Sequence, residues 1–144
     1  MSIRSTYTAL AFTGAFPFLA CAALLVADIT VVSPLGSLAD IANSYGLAII
    51  CFLSGIHWSI YLTNQEDPPF NLLLSSNVVF LFVWITYILA GTELSLISQV
   101  AALVALLLID RSLLNASVIS SHYFRTRLVV TGLAASSLLV IVLN

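Results

Sequence analysis

Residues 5–27, 41–65 and 68–92 contain no Asp, Glu, Lys or Arg. Each run is long enough to cross a ~30 Å hydrocarbon layer as a helix, which takes about 20 residues at 1.5 Å each. Turn-forming segments separate them. Ser33-Pro34 and Gly36 lie in the first, and Gln65-Glu66-Asp67-Pro68-Pro69 forms the second. The prolines stop one helix and open the next. Two further uncharged runs, 94–109 and 128–144, are shorter and are bounded by Asp110-Arg111 and by Arg125 and Arg127. They still read as spans, because charged ends can sit at the headgroup level with arginine side chains reaching outward. Residues 115–121 supply a polar connection between them.

The expected architecture is therefore all-α: one domain over residues 1–144, a polytopic membrane bundle of five transmembrane helices at about 6–27, 41–63, 70–90, 94–113 and 123–143. Composition agrees. Of the 144 residues, 61% are hydrophobic and 7% charged, against about 25% charged in a soluble domain. Four arginines, no lysine and a net charge of −2 offer no basic surface for a nucleic-acid backbone. Orientation follows from the excess of positive residues in cytoplasmic loops. With five spans, Arg4, Arg111, Arg125 and Arg127 share one side, while Asp28, Asp40 and Glu93 lie on the other. The N-terminus is expected in the cytoplasm and the C-terminus outside, in a bacterial inner membrane.

Phe18-Leu19-Ala20-Cys21 faintly resembles a lipoprotein signal, but the residues after Cys21 stay apolar through Ala27, which favours an uncleaved first helix. Cys21 and Cys51 are the only thiols. Both fall mid-helix and read as small apolar packers rather than a disulfide or metal pair.

The second span carries the most information. Steps of three and four place Asn43, Leu47, Ile50, Ser54, His57, Tyr61 and Asn64 on one face. Unsatisfied polar groups are costly in hydrocarbon, so this stripe should face other helices or a wet cavity. Cys51, Gly55 and Ser59 form a second stripe, of small residues, with the spacing that lets two helix backbones approach closely. His57 is the only ionisable residue well inside the three clean spans. It reads either as a proton relay, a haem or metal ligand or a ligand-binding donor, or as a neutral imidazole that only fixes packing. It lies about 10 Å from the cytoplasmic end of its helix, with Asn77 at similar depth on the third. Trp58 and Tyr61, near the same end, suit an interfacial anchor.

Asp110, Arg111, His122, Arg125 and Arg127 gather in the same half, whereas the outer half of the spans reads as nearly all apolar. Arg125 and Arg127 point about 200° apart on a helix, so one is expected to turn inward and pair with Asp110. The alternative is that all the arginines only set topology. Enzyme signatures such as H-E-x-x-H, a phosphate-binding glycine loop or a nucleophile elbow are absent. His57 and His122 lie at different depths, which disfavours joint haem ligation, and no cofactor is indicated.

Gly14-Ala15-Phe16-Pro17-Phe18, the run from Tyr45 to Trp58, Asp110-Arg111 and Tyr123-Phe124-Arg125-Thr126-Arg127-Leu128 resemble the domain of unknown function 3429 family. These are small bacterial membrane proteins related to mitochondrial transmembrane protein 69. Ser54, the proline-free Ser75-Ser76-Asn77-Val78 and Val129 stand where the family pattern has glycine, proline and proline. The resemblance marks His57, Trp58, Asp110, Arg125 and Arg127 as motif positions and implies no activity.

The function expected from these observations is that of a non-enzymatic membrane protein. A cytoplasmic-side polar pocket built from Ser54, His57, Trp58, Tyr61, Asn77, Asp110, Arg125 and Arg127 would bind a small or lipidic anionic ligand. The same pocket could instead dock a membrane complex, the chain then acting as an accessory or assembly factor. Membrane lipid, a membrane-protein partner or a second copy are the expected partners. The alternative is a small transporter or proton-coupled carrier, which five helices without an evident repeat make less fitting.

Overall fold

A computed structural model describes residues 3–63 and 68–144, with side chains from Thr6 onward. The Arg4 side chain, Asn64 and the Gln65-Glu66-Asp67 turn, all used above, lie outside the described residues. The described residues form five helices: α1 (Ile3–Val26), α2 (Leu38–Thr63), α3 (Leu72–Leu89), α4 (Thr92–Asn115) and α5 (Ser121–Leu143). All five are long and apolar enough to cross a membrane.

The helix ends follow from local chemistry. Ser37 and Asp40 form a reciprocal cap on α2, the Ser37 Oγ donating to Asp40 Oδ2 at 2.6 Å and accepting from the Asp40 amide at 3.1 Å. Asn71 caps α3 by accepting from the Leu74 amide, and Ser120 caps α5 by accepting from that of Tyr123. Between α1 and α2 the chain makes a small antiparallel hairpin, β1 (Val31–Val32) and β2 (Gly36–Ser37), with Val31 opposite Ser37. Its turn holds a cis Ser33–Pro34 bond and Gly36 at φ 102°, a conformation glycine tolerates best.

The helices form a ring: α1 packs on α5 and α2, α2 on α3 and α4, α3 on α4, and α4 on α5. By contrast, α2 and α5 barely touch. Phe18, Ile50, Leu103, Leu106 and Leu138 fill the centre. The outer surface carries Phe16, Phe52, Trp84, Ile88 and Leu108, while Asn43, Ser95, Gln99, His57 and Asp110 are inside. Apolar outside and polar inside is the distribution that hydrocarbon, and not water, stabilises.

Three expectations need correction. Helix α4 runs through Asp110 to Asn115, so Asp110 does not end the helix; it is 0% exposed and about 8 Å inside the helix end. Its acceptors are met by neighbouring helices, which is why the helix need not stop there. The stripe of Cys51, Gly55 and Ser59 is exposed, and a Cβ on Gly55 would meet nothing within 4 Å, so no helix of this chain packs closely on it. Only Cys21 of the two thiols is buried, because Cys51 shares the outward face of α2 with Gly55.

Candidate functional site

The loop of residues 116–120 makes α4 and α5 antiparallel neighbours and puts Asp110 beside Arg127. Arg127 donates from Nε to Asp110 Oδ2 at 2.9 Å, and His57 of α2 shares a 2.9 Å hydrogen bond with Asp110 Oδ1 through Nε2. One carboxylate thus ties three helices together. Facing a carboxylate, His57 Nε2 carries the proton and donates. His57 is 2% and Arg127 8% exposed. With a neutral imidazole the cluster sums to zero charge, the state that makes an ion pair tolerable away from water.

Two features of this cluster are unfinished. His57 Nδ1 and the Ser54 Oγ one turn earlier are buried without a partner among the described residues. The guanidinium of Arg127 offers five N–H donors, and Nε supplies its only hydrogen bond among the described residues.

Arg127 also lines a cavity of about 310 Å³ enclosed by α1, α2 and α5, with Leu103 of α4 behind it. Phe18, Ile49, Leu53 and Ala134 form one end, and Tyr7, Tyr123 and Arg127 form the other. Tyr7 and Thr131 line it, and their hydroxyls are buried without partners among the described residues. Where α1 and α2 meet, the rings of Phe18 and Tyr45 pack edge to face at 5.0 Å, and the Tyr45 hydroxyl donates to the Gly14 carbonyl at 2.9 Å. At the mouth, Leu10 and Phe52 are 66% and 67% exposed.

The residues expected to form one pocket therefore separate. His57, Asp110 and Arg127 come together, with Ser54 buried on the same face of α2. Asn77 turns its amide to the Leu73 carbonyl of its own helix at 2.7 Å. Trp58 is 41% exposed, Arg125 is exposed and Tyr61 half-buried. Arg111 lies over the Phe124 ring at 5.6 Å, and His122 bonds Thr8 Oγ1 at 3.3 Å, away from His57. The pocket differs from the expected one in character too. His57 is sealed and bonded to one neighbour, does not line the cavity, and the cavity is walled almost wholly by carbon.

The sequence reading also missed a second polar cluster, in the half of the bundle expected to be apolar. Gln99 donates from Nε2 to the Asn43 carbonyl and to Asn43 Oδ1, at 2.8 and 2.6 Å, and Ser95 donates to the same Oδ1 at 2.7 Å. The Gln99 amide lies where a Cβ on Gly46 would stand, so a larger residue there must displace that side chain. Steps of three and four along α4, Ser95, Gln99, Leu103, Leu106 and Asp110, are all buried. The periodicity that singled out His57 on α2 would have found Gln99 on α4.

A family model described as "Protein of unknown function (DUF3429)" matches residues 3–143. The chain belongs to that family. No curated protein and no solved structure matches it. Membership covers nearly the whole bundle, so the Asp110 cluster and the cavity both lie within the family's domain.

Proposed function

We propose that this protein is a non-enzymatic, multi-pass inner-membrane binding protein that recognises a small or lipidic anionic ligand at Arg127, on the cytoplasmic side of the bundle. The observation that carries this reading is Arg127: it is nearly buried, its guanidinium gives Asp110 one N–H, and the residue lines a cavity. A cation that only neutralised Asp110 would be expected to spend more of its donors on it, since paired N–H bonds to a carboxylate are the favoured geometry. His57 then acts as a positioning residue that holds the second oxygen of Asp110. A protein partner of an accessory factor would use the same end of the bundle.

Purification from native membranes tests this. An anionic species retained by the wild type should be lost from a triple variant, His57→Phe, Asp110→Leu and Arg127→Met, in which the charges are removed together and the fold is spared an unpaired ion. Identical bound species in both proteins would overturn the reading. A flux of the anion in reconstituted vesicles would favour the carrier alternative. Reporter fusions at Ser117 and Asn144 test the orientation, with an active cytoplasmic reporter expected at Ser117 only.

A further inference from the structure

We propose that the cavity between α1, α2 and α5 binds a single-chain amphiphile, its oxyanion head at Arg127 and its hydrocarbon tail between α1 and α2. This rests on the anion reading above and names the ligand class. Three observations carry it.

The first is the polarity of the cavity along its length. Arg127, Tyr7 and Tyr123 stand at one end, and Phe18, Ile49 and Leu103 at the other. From Tyr7 to Phe18 the wall of α1 runs about 16 Å along the helix axis, a length suited to an extended chain rather than a compact solute. The second is the set of unmet donors. In addition to the remaining Arg127 N–H groups, the buried Tyr7 and Thr131 hydroxyls have no partner among the described residues. A buried donor left unmade is costly, and the carboxylate or phosphate of an amphiphile supplies acceptors that a bilayer tail does not. Two oxygens of either group match the planar guanidinium. The third is the size and the opening. A volume of about 310 Å³ is at the lower end of ligand pockets, enough for one tail and not for two. The exposed Leu10 and Phe52 put its mouth on the apolar outer surface of the bundle, so a tail enters sideways without crossing water.

Gly14 gives a clean way to block the tail. It lines the cavity, and a Cβ there would meet nothing within 4 Å. Gly14→Phe therefore fills the cavity from α1 and leaves the Asp110 cluster untouched. The full chain, in nanodiscs of zwitterionic lipid, is photolabelled with a dodecanoate that carries a terminal diazirine, and adducts are mapped by mass spectrometry. Label is expected on the α1 and α2 walls, competed by dodecanoate or dodecyl phosphate, the stronger competitor identifying the head. Dodecanol should compete at least about tenfold more weakly. Gly14→Phe should lose the label while keeping its unfolding temperature; Ala11→Phe, on the same wall, serves if Gly14→Phe does not fold. Undiminished label in either folded variant, or equal competition by dodecanol, overturns the proposal. If the wild type takes no label yet still yields an anion that the triple variant loses, the tail assignment fails and the anion reading stands.

Discussion

Two polar clusters stitch α2 to α4, one in each half of the bundle, and they are built differently. The Asn43–Ser95–Gln99 cluster is neutral, involves only those two helices and uses a glycine to let the Gln99 side chain lie against a backbone. The His57–Asp110–Arg127 cluster is ionic, recruits α5 as well and leaves its arginine with donors to spare. For joining helices the neutral arrangement suffices, since amide and hydroxyl bonds across a bundle avoid the desolvation of ions. A buried ion pair that does no more than the neutral cluster does is an expensive substitute. On the proposed reading, the charge at Asp110 serves to hold Arg127 beside the cavity rather than to join helices.

The comparison breaks most easily at Asp110. Asp110→Ala leaves Arg127 buried and unpaired and should cost about 3–5 kcal/mol, seen as a large drop in unfolding temperature in detergent. The triple variant of His57→Phe, Asp110→Leu and Arg127→Met should regain most of that loss, because no ion is left exposed to hydrocarbon. If the triple variant is as unstable as Asp110→Ala, the ionic cluster is a structural necessity and the contrast with the neutral one disappears.

At the other end, Gly46→Ala should force the Gln99 amide from its site and cost about 1–3 kcal/mol by overpacking, measured in the same unfolding assay. Ser95→Ala should be mildest. Asn43 Oδ1 keeps its bond from Gln99, and a single interhelical hydrogen bond in a membrane protein averages about 0.6 kcal/mol. Neither residue lines the cavity, and a Cβ at Gly46 makes only ordinary contact with the Phe18 ring at 3.5 Å, so both variants should label with the dodecanoate probe as the wild type does. A loss of label in either would show that the two halves are coupled and sharpen the comparison into a mechanism.

How much of this was written legibly in the chain depends on the length scale of the signal. The five helices are legible because hydropathy over some twenty residues is averaged, and one misplaced serine does not matter. That one of Arg125 and Arg127 turns inward to pair with Asp110 follows from two facts in the sequence, their separation of about 200° and the short loop before α5; that it is Arg127 is read only from the structure. The burial of Asp110 is not legible, because a charge in the sequence suggests a helix end whereas α4 continues for another turn. Gln99 is the single amide of the uncharged run 94–109, and a search for charge does not reach it. The cavity could not be read at all. It exists because α2 and α5 stay apart while α1 bridges them, and separation between helices far apart in sequence leaves no mark in either one's periodicity.

The short α4–α5 connection has a consequence for biosynthesis. Asp110 and Arg127 are 17 residues apart and belong to one helical hairpin, so their bond needs no third helix. A lone carboxylate or guanidinium costs about 2.5–3.5 kcal/mol at the centre of a membrane helix and less toward its end, where Asp110 and Arg127 stand. As a hairpin the two residues can leave the insertion machinery already neutralised, each masking the other. His57, contributed by a helix synthesised earlier, then finds a carboxylate whose position is fixed, and its imidazole closes the bundle around a pair that arrived preassembled.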